Sequence, residues 1–263
     1  MVTRDTPWPD GTPCWVDLMV PDPRMAIDFY GALFAWAFAD QGDETGNYLL
    51  ASLGGRQVAG VMGGVPPDQE APPAAWTTYL ATSDIDKTVA ATSQNGGQVM
   101  TPPMEVGQAG KLAIAADPTG AVFGLWQAGE RNGVGLTNVA GALTWSECMT
   151  RDHDRAKDFY AQVFGHAFDD MSAEGFRYAT LKVGGKVVGG IGQLPDEVPA
   201  DVPPHWSVYF AVTDTDATVV RVTELGGGLV REPWDSPYGR LAQVVDNQGA
   251  HFQVITAIPA DAP

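Results

Sequence analysis

The sequence predicts an α+β fold of four βαβββ units, arranged as two tandem copies of a two-unit domain. Three observations carry this expectation. The first is a repeat. DFYGALFAWAF at 28–38 returns as DFYAQVFGHAF at 158–168, an offset of 130. LGGRQVAGV at 53–61 returns as VGGKVVGGI at 183–191, and WTTYLATSDID at 76–86 as WSVYFAVTDTD at 206–216, at the same offset. GKLAIAADPTGAVFGLWQ at 110–127 returns as GRLAQVVDNQGAHFQVIT at 239–256, offset 129, with one residue lost in between. Four matches in order mark an internal duplication. The second observation is that each copy starts the same plan twice, strand then helix then strands. The third is the repeated switch from period-two to helical patterning. The copies are expected to span 12–129 and 140–257, joined by GERNGVGLTNVAG, whose Gly and Asn content is that of a linker.

Each element follows in order. CWVDLMVPD alternates over a strand length. PRMAIDFYGALFAWAF then places apolar residues at helical spacing, and Met25, Ile27, Phe29, Leu33 and Phe34 form the expected buried stripe. YLLASLGG and RQVAGVMGG are short and Gly-bounded, as in a hairpin. The plan restarts with strand WTTYLATSD and helix IDKTVAATSQNGG, whose Gly-Gly is a helix stop. Strands near Val99, Leu112–Ala116 and Val122–Gln127 close the unit. GVPPDQEAPPAAW and QLPDEVPADVPPHW read as stiff linkers between the units of each copy, placed to rim a pocket mouth.

Bulk properties exclude several functions. Hydrophobic content of 44% and charged content of 18% suit a globular protein with a real core. A net charge of -17, from 15 basic and 32 acidic residues, repels phosphate backbones and anionic lipid. Cys14 and Cys148 make neither a disulfide framework nor a zinc knuckle. The start, MVTRDTPWPDG, lacks the apolar segment of a signal peptide, and no apolar run approaches the roughly 20 residues of a membrane span. The expectation is a reduced, cytoplasmic protein that binds neither nucleic acid nor membrane. P-loop, G-x-G-x-x-G and G-x-S-x-G motifs are absent.

VDLMVPDPRMAIDFYGALFAW with DPTGAVFGLW, and ECMTRDHDRAKDFYAQVFGHAF with DNQGAHFQVI, resemble the vicinal oxygen chelate superfamily of glyoxalase I, extradiol dioxygenases and bleomycin-resistance proteins. The resemblance covers nearly the whole chain. It implies curved βαβββ sheets pairing into a cup, with ligands bound in the concavity. It also implies that a tandem chain is its own pseudo-dimer, present as a monomer or as a homodimer.

The metal enzymes of that family place His, His and Glu, or close variants, at fixed strand positions. The resemblance carries these onto Trp15, Thr77 and Gly124 in copy one, and onto Trp145, Ser207 and Gln253 in copy two. Indole offers only an N–H donor, and hydroxyls with a lone amide are poor partners for Ni, Zn or Fe. Neither a metal nor another cofactor is therefore expected. Strand parity assigns the cup face in copy one to Trp15, Asp17, Met19, Thr77, Tyr79, Val122, Gly124 and Trp126. In copy two it assigns Trp145, Glu147, Met149, Ser207, Tyr209, His251, Gln253 and Ile255. Val16, Leu18 and Val20 should pack under the helices.

A floor of Trp, Tyr and Met with one carboxylate suits a bulky aromatic or apolar small molecule, held without metal. Sequestration, as in the resistance proteins, needs only affinity. Asp17 or Glu147 would fix a hydroxyl or a cationic amine; alternatively a salt bridge satisfies one of them, for instance with Lys111 or Arg240, which match across the copies. The rival reading is an enzyme, a lyase, isomerase, hydroxylase-like protein or cyclase. It would use Glu147 as base and His251 as acid, with or without an off-pattern metal at Glu147, His251 and Gln253. A third reading has Trp15 and Trp145 filling the cups solid. His153 and His166, near helix ends, read as surface residues, and His205 starts a strand.

Overall fold

The computed structural model describes residues 2–42, 46–63 and 73–257. The linker GVPPDQEAPPAAW lies mostly outside the described residues. A short strand β1 (Val2–Thr3) precedes copy one, which runs β2 (Pro13–Val20), α1 (Pro23–Phe34), β3 (Ala37–Asp40), β4 (Leu49–Leu53), β5 (Arg56–Gly63), β6 (Ala75–Ala81), α2 (Ile85–Gln94), β7 (Gln98–Val106), β8 (Gly110–Ala116) and β9 (Val122–Ala128). After β10 (Leu136–Thr137), which pairs with β1, copy two repeats the order. It runs β11 (Leu143–Thr150), α3 (His153–Phe164), β12 (Ala167–Asp170), β13 (Tyr178–Val183), β14 (Lys186–Gln193), β15 (His205–Ala211), α4 (Thr215–Glu224), β16 (Gly228–Ser236), β17 (Gly239–Val245) and β18 (His251–Ala257).

Each copy forms one eight-stranded mixed sheet, β3-β4-β5-β2-β6-β9-β8-β7 and β12-β13-β14-β11-β15-β18-β17-β16. In both sheets the two βαβββ units join through an antiparallel central pair, β2 with β6 and β11 with β15. The aspartate that follows each unit's first strand is a helix N-cap: Asp22, Asp84, Asp152 and Asp214 accept from Arg24, Lys87, Arg155 and Ala217 amides. A short side-chain oxygen there satisfies one of the orphan amides of the first turn, which is why strand, Asp and helix recur as one pattern. Gly96, at φ +85°, turns the chain after α2, as the Gly-Gly reading expects.

The helices lie between the two sheets. α1 packs beside α4, and α2 beside α3. Phe29, Tyr30 and Phe34 of α1 join Val16, Leu18 and Val20 of their own sheet to Phe210, Phe252 and Val254 of the other. Phe159 and Tyr160 of α3 reciprocate against Leu80, Phe123 and Leu125. Two corrections follow. Met25 is 40% exposed, while Ala26 and Tyr30 are buried, because the other copy's sheet decides which helix face is covered. His153 and His166 are also buried, at 2% and 5% exposure, and His166 stacks on Phe164 and meets the Gly11 carbonyl of copy one.

The copies are locked by two equivalent polar clusters. The Tyr30 hydroxyl donates to Asp246 Oδ2 at 3.0 Å and accepts from Trp76 Nε1 at 3.2 Å. The Tyr160 hydroxyl donates to Asp117 Oδ2 at 3.1 Å and accepts from Trp206 Nε1 at 2.8 Å. Asp246 and Asp117 also cap their own turns through the Ala250 and Ala121 amides. The second cluster holds Cys148 Sγ, 3.7 Å from Asp117 Oδ2, where Leu18 stands in copy one. A further matched pair ties each copy to the segment that leads into the other's sheet. Trp36 Nε1 donates to the Gly141 carbonyl at 2.7 Å, and His166 Nε2 bonds the Gly11 carbonyl at 2.9 Å.

Candidate functional site

The sheet face turned away from the helices carries the expected cup residues. In copy one, Trp15 pairs with Tyr79, Asp17 with Thr77, and Tyr79 with Gly124. In copy two, Trp145 pairs with Tyr209, Glu147 with Ser207, and Tyr209 with Gln253. Gly124 makes room for its neighbour: a Cβ there would lie 2.1 Å from the Tyr79 ring.

A carboxylate stands at the centre of each face under a canopy of donors. Asp17 Oδ1 accepts from Trp15 Nε1 at 2.7 Å and from the Tyr48 hydroxyl at 2.5 Å, while Trp15 Nε1 also reaches the Tyr48 oxygen at 3.0 Å. Glu147 Oε2 accepts from Tyr178 at 2.8 Å and Glu147 Oε1 from Tyr209, and Trp145 Nε1 donates to the Tyr178 oxygen at 3.1 Å. Tyr79 is turned to Asp17 as Tyr209 is to Glu147. Tyr48 and Tyr178 stand 130 residues apart, so the repeat register held the signal; sequence reading left both inside a hairpin strand without a direction. Glycine opposite each carboxylate admits the ring. Gly60 pairs with Asp17, and a Cβ there would meet the Tyr48 hydroxyl at 1.7 Å; Gly190 pairs with Glu147, and its Cβ would meet Tyr178 at 1.9 Å.

Burial raises the pKa of both carboxyls, against the pull of their tyrosine and indole donors. Burial and the adjacent carboxylate push the hydroxyls of Tyr48, Tyr79 and Tyr209 well up, and raise that of Tyr178. Each cluster thus holds a proton-hungry carboxylate among hydroxyls that keep their protons.

The residues do not fit the divalent metal of the family's enzymes. The three ligand positions of each cup hold Trp15, Thr77 and Gly124, or Trp145, Ser207 and Gln253, none an imidazole, carboxylate or thiolate. Among the described residues no group of three His, Cys, Asp or Glu side chains is placed to hold a metal ion. His251 is exposed at the start of β18, and no hydrogen bond joins it to Glu147. The histidine that acts on Glu147 electrostatically is His205, which shares strand parity with Ser207 and Tyr209 and lies opposite Met149. The alternative salt bridges do not form either: Lys111 pairs with Glu105, and Arg240 with Asp216 and Asp235.

The two cups differ in what covers them. Over the first runs the segment Glu130–Val134. The Val134 amide bonds the Cys14 carbonyl, the Arg131 carbonyl accepts from Trp126 Nε1 at 2.9 Å, and Val134 is buried with Trp15, Tyr79 and Trp126. The Arg131 guanidinium lies 5.9 Å from the Trp15 ring centre and 5.8 Å from that of Tyr48. Trp8 closes the same cluster. In copy one Asp17 is therefore buried, while Met19 and Thr77 at the floor's edge are half-buried. In copy two, Trp145, Glu147, Met149, Ser207 and Tyr178 are all half-buried, and Ile255 replaces the indole of Trp126. Gln253 is 8% exposed and its Oε1 has no partner. Phe176 stacks on Tyr178 at 5.5 Å and is exposed, as is Tyr238.

Comparison with known proteins agrees with the tandem fold. Residues 14–125 and 143–254 each match the family described as the Glyoxalase/Bleomycin resistance protein/Dioxygenase superfamily. The chain is 42% identical over 253 residues to "Putative glyoxylase CFP32" of Mycobacterium tuberculosis, covering 95% of this chain and 96% of that one. It is 38% identical over 266 residues to "Anthracycline biosynthesis protein DnrV" of Streptomyces peucetius, covering 97% and 95%. Among solved structures, the Mn(II)-bound glyoxalase from Novosphingobium aromaticivorans superposes with a TM-score of 0.66 at 15% identity, over 97% of this chain and 85% of that chain. The 2,3-dioxygenase LapB from Pseudomonas sp. KL28 superposes with a TM-score of 0.64 at 13% identity, over 99% and 97%. At such identities these likenesses concern the fold alone. Among the described residues no helix is long and apolar enough to cross a membrane.

Proposed function

The chain belongs to the glyoxalase/bleomycin resistance protein/dioxygenase superfamily, and from that premise we propose that its second cup binds a bulky aromatic or apolar small molecule without a metal. The observation that carries this reading is the contrast between the cups. The first is filled by its own chain. The second keeps a Trp, Tyr and Met floor, a half-buried carboxylate at Glu147, and a buried amide oxygen at Gln253 that lacks a partner. Buried polar atoms without partners are rare and costly, so the Gln253 oxygen suits a donor brought by a guest. Trp145 and Tyr209 supply flat apolar area, Met149 adapts its shape, and the exposed rings of Phe176 and Tyr238 extend the surface toward the mouth. Trp15, Asp17, Met19, Tyr79 and Trp126 make the equivalent face in copy one, where the chain itself is the guest.

One relative is named for anthracycline biosynthesis, and anthracyclines are fused-ring aromatics, which fits a stacking floor. Binding alone would serve sequestration; metal-free affinity requires no nucleophile or base. The test is calorimetric titration with a panel of fused-ring aromatics, with and without a chelator. Saturable binding that is indifferent to chelator is expected, and binding that vanishes with chelator or never appears overturns the reading.

A second reading is favoured by burial, which raises the pKa of Glu147 and makes it a better proton acceptor than an exposed carboxylate. In that reading Glu147 takes a proton from a bound aromatic substrate while Tyr178 and Tyr209 hold its two oxygens, and His251 or His205 serves as the acid. Turnover abolished in Glu147→Gln with binding retained would select it.

A further inference from the structure

The first cup displays what the second is shaped to hold. Arg131 places a guanidinium under 6 Å from both the Trp15 and the Tyr48 ring centres, beside the Asp17 carboxylate whose charge it favours. Indole, phenol and carboxylate recur in copy two as Trp145, Tyr178 and Glu147, with the indole-to-tyrosine and tyrosine-to-carboxylate hydrogen bonds repeated. At the repeat offset of 129 the position of Arg131 is taken by Ala260, so this guanidinium has no counterpart in register. Arg231, the nearby guanidinium of copy two, is engaged elsewhere, 3.9 Å above the Trp234 ring. Its influence falls on Tyr209.

Resting on the reading of the second cup as an aromatic-binding site, we propose that its ligand carries a protonated amine. The ammonium occupies the place that Arg131 fills in copy one, between the Trp145 and Tyr178 rings and against Glu147. Three independent observations converge on this. The aromatic pair presents its π-electrons to a cation. Among the described residues no Lys or Arg pairs with the half-buried carboxylate: its hydrogen bonds come from Tyr178 and Tyr209, and the basic group that acts on it is His205. The net charge of -17 draws cations toward the molecule and repels anions. The unpartnered Gln253 oxygen offers a second acceptor beside Tyr209 for a further N–H or O–H of the same guest.

The experiment compares two tricycles of nearly equal shape, 9-(aminomethyl)anthracene, whose amine is protonated near neutral pH, and 9-(hydroxymethyl)anthracene, which is neutral. Calorimetry on the wild-type chain is expected to give at least about tenfold tighter binding of the ammonium compound, the worth of one desolvated cation–π contact. In Glu147→Gln, checked for unchanged thermal melting, the preference should collapse. Equal wild-type affinities would overturn the cation proposal and leave the aromatic site standing. Binding of neither tricycle would overturn both. An unfolded Glu147→Gln would remove only the mutant arm, because the wild-type comparison decides alone.

Discussion

Tyr30 and Asp246 are 216 residues apart in sequence and 3.0 Å apart in space, hydroxyl to carboxylate, in the closed interior between the two sheets. Tyr160 and Asp117 repeat the bond in the opposite direction. Burial and the facing carboxylate hold both hydroxyls protonated. Each copy thus completes the other's turn, and the tyrosine of the repeated Phe-Tyr pair works for its sibling rather than for itself.

Removing either hydroxyl leaves a buried carboxylate oxygen short of its donor and a buried indole short of its acceptor. Tyr30→Phe should cost roughly 1–3 kcal/mol in urea unfolding. Tyr160→Phe should cost less, because Asp117 Oδ2 keeps the thiol of Cys148 within 3.7 Å. The reverse order in matched melts would refute this account of the two clusters.

The asymmetry at Trp36 and His166 predicts a pH dependence. Burial lowers the His166 pKa to about 4, and its Nε2–H is committed to the Gly11 carbonyl. A base whose folded pKa is depressed stabilises the fold at pH values above its ordinary pKa near 6.5. That contribution is lost as pH falls from there toward 4, by roughly 3 kcal/mol at full loss. His166→Trp, which installs the group that copy one uses at Trp36, should flatten urea stability across this window. An undiminished slope in the variant would place the acid sensitivity elsewhere.

Gly124 and Gln253 occupy the same position in the two sheets, with opposite demands. Gly124→Ala drives a methyl group into the Tyr79 ring and should destabilise by about 1–3 kcal/mol. Gln253→Ala removes an amide oxygen with no partner and should be nearly neutral for stability while weakening guest binding. Thermal melts with and without acridone measure both effects.

The two floor tryptophans should report differently on a guest. Trp15 is 4% exposed beneath Arg131 and Val134, whereas Trp145 is half-buried. Quenching of tryptophan emission by acridone should shrink in Trp145→Phe and persist in Trp15→Phe. Equal loss in both variants would mean that the first cup opens in solution.

Much of the fold was legible because its determinants are local or periodic. The repeat offset located the units, and strand parity put Trp15, Asp17, Tyr79 and their counterparts on one face, because alternate strand residues must share a side. The aspartates that end the quoted strands CWVDLMVPD and WTTYLATSD are caps of the helices that follow. What escaped depended on surfaces that another part of the chain covers. Met25 and Tyr30 exchanged roles because a second sheet packs on the helices, and His166 became interior where it meets the Gly11 segment of copy one. Tyr48 and Tyr178 follow loops, so no run of alternation preceded them to fix their direction. The covering segment at Arg131 read only as a linker, since Gly and Asn content describes flexibility and says nothing of where one arginine will rest.

That segment has an arithmetic consequence. A duplicated protein invites a count of two guests per chain, yet one half already accommodates a side chain of its own. Titration should saturate at one equivalent, and the filled half then stands as an internal reference, a built-in likeness of its neighbour's complex in every sample of the protein.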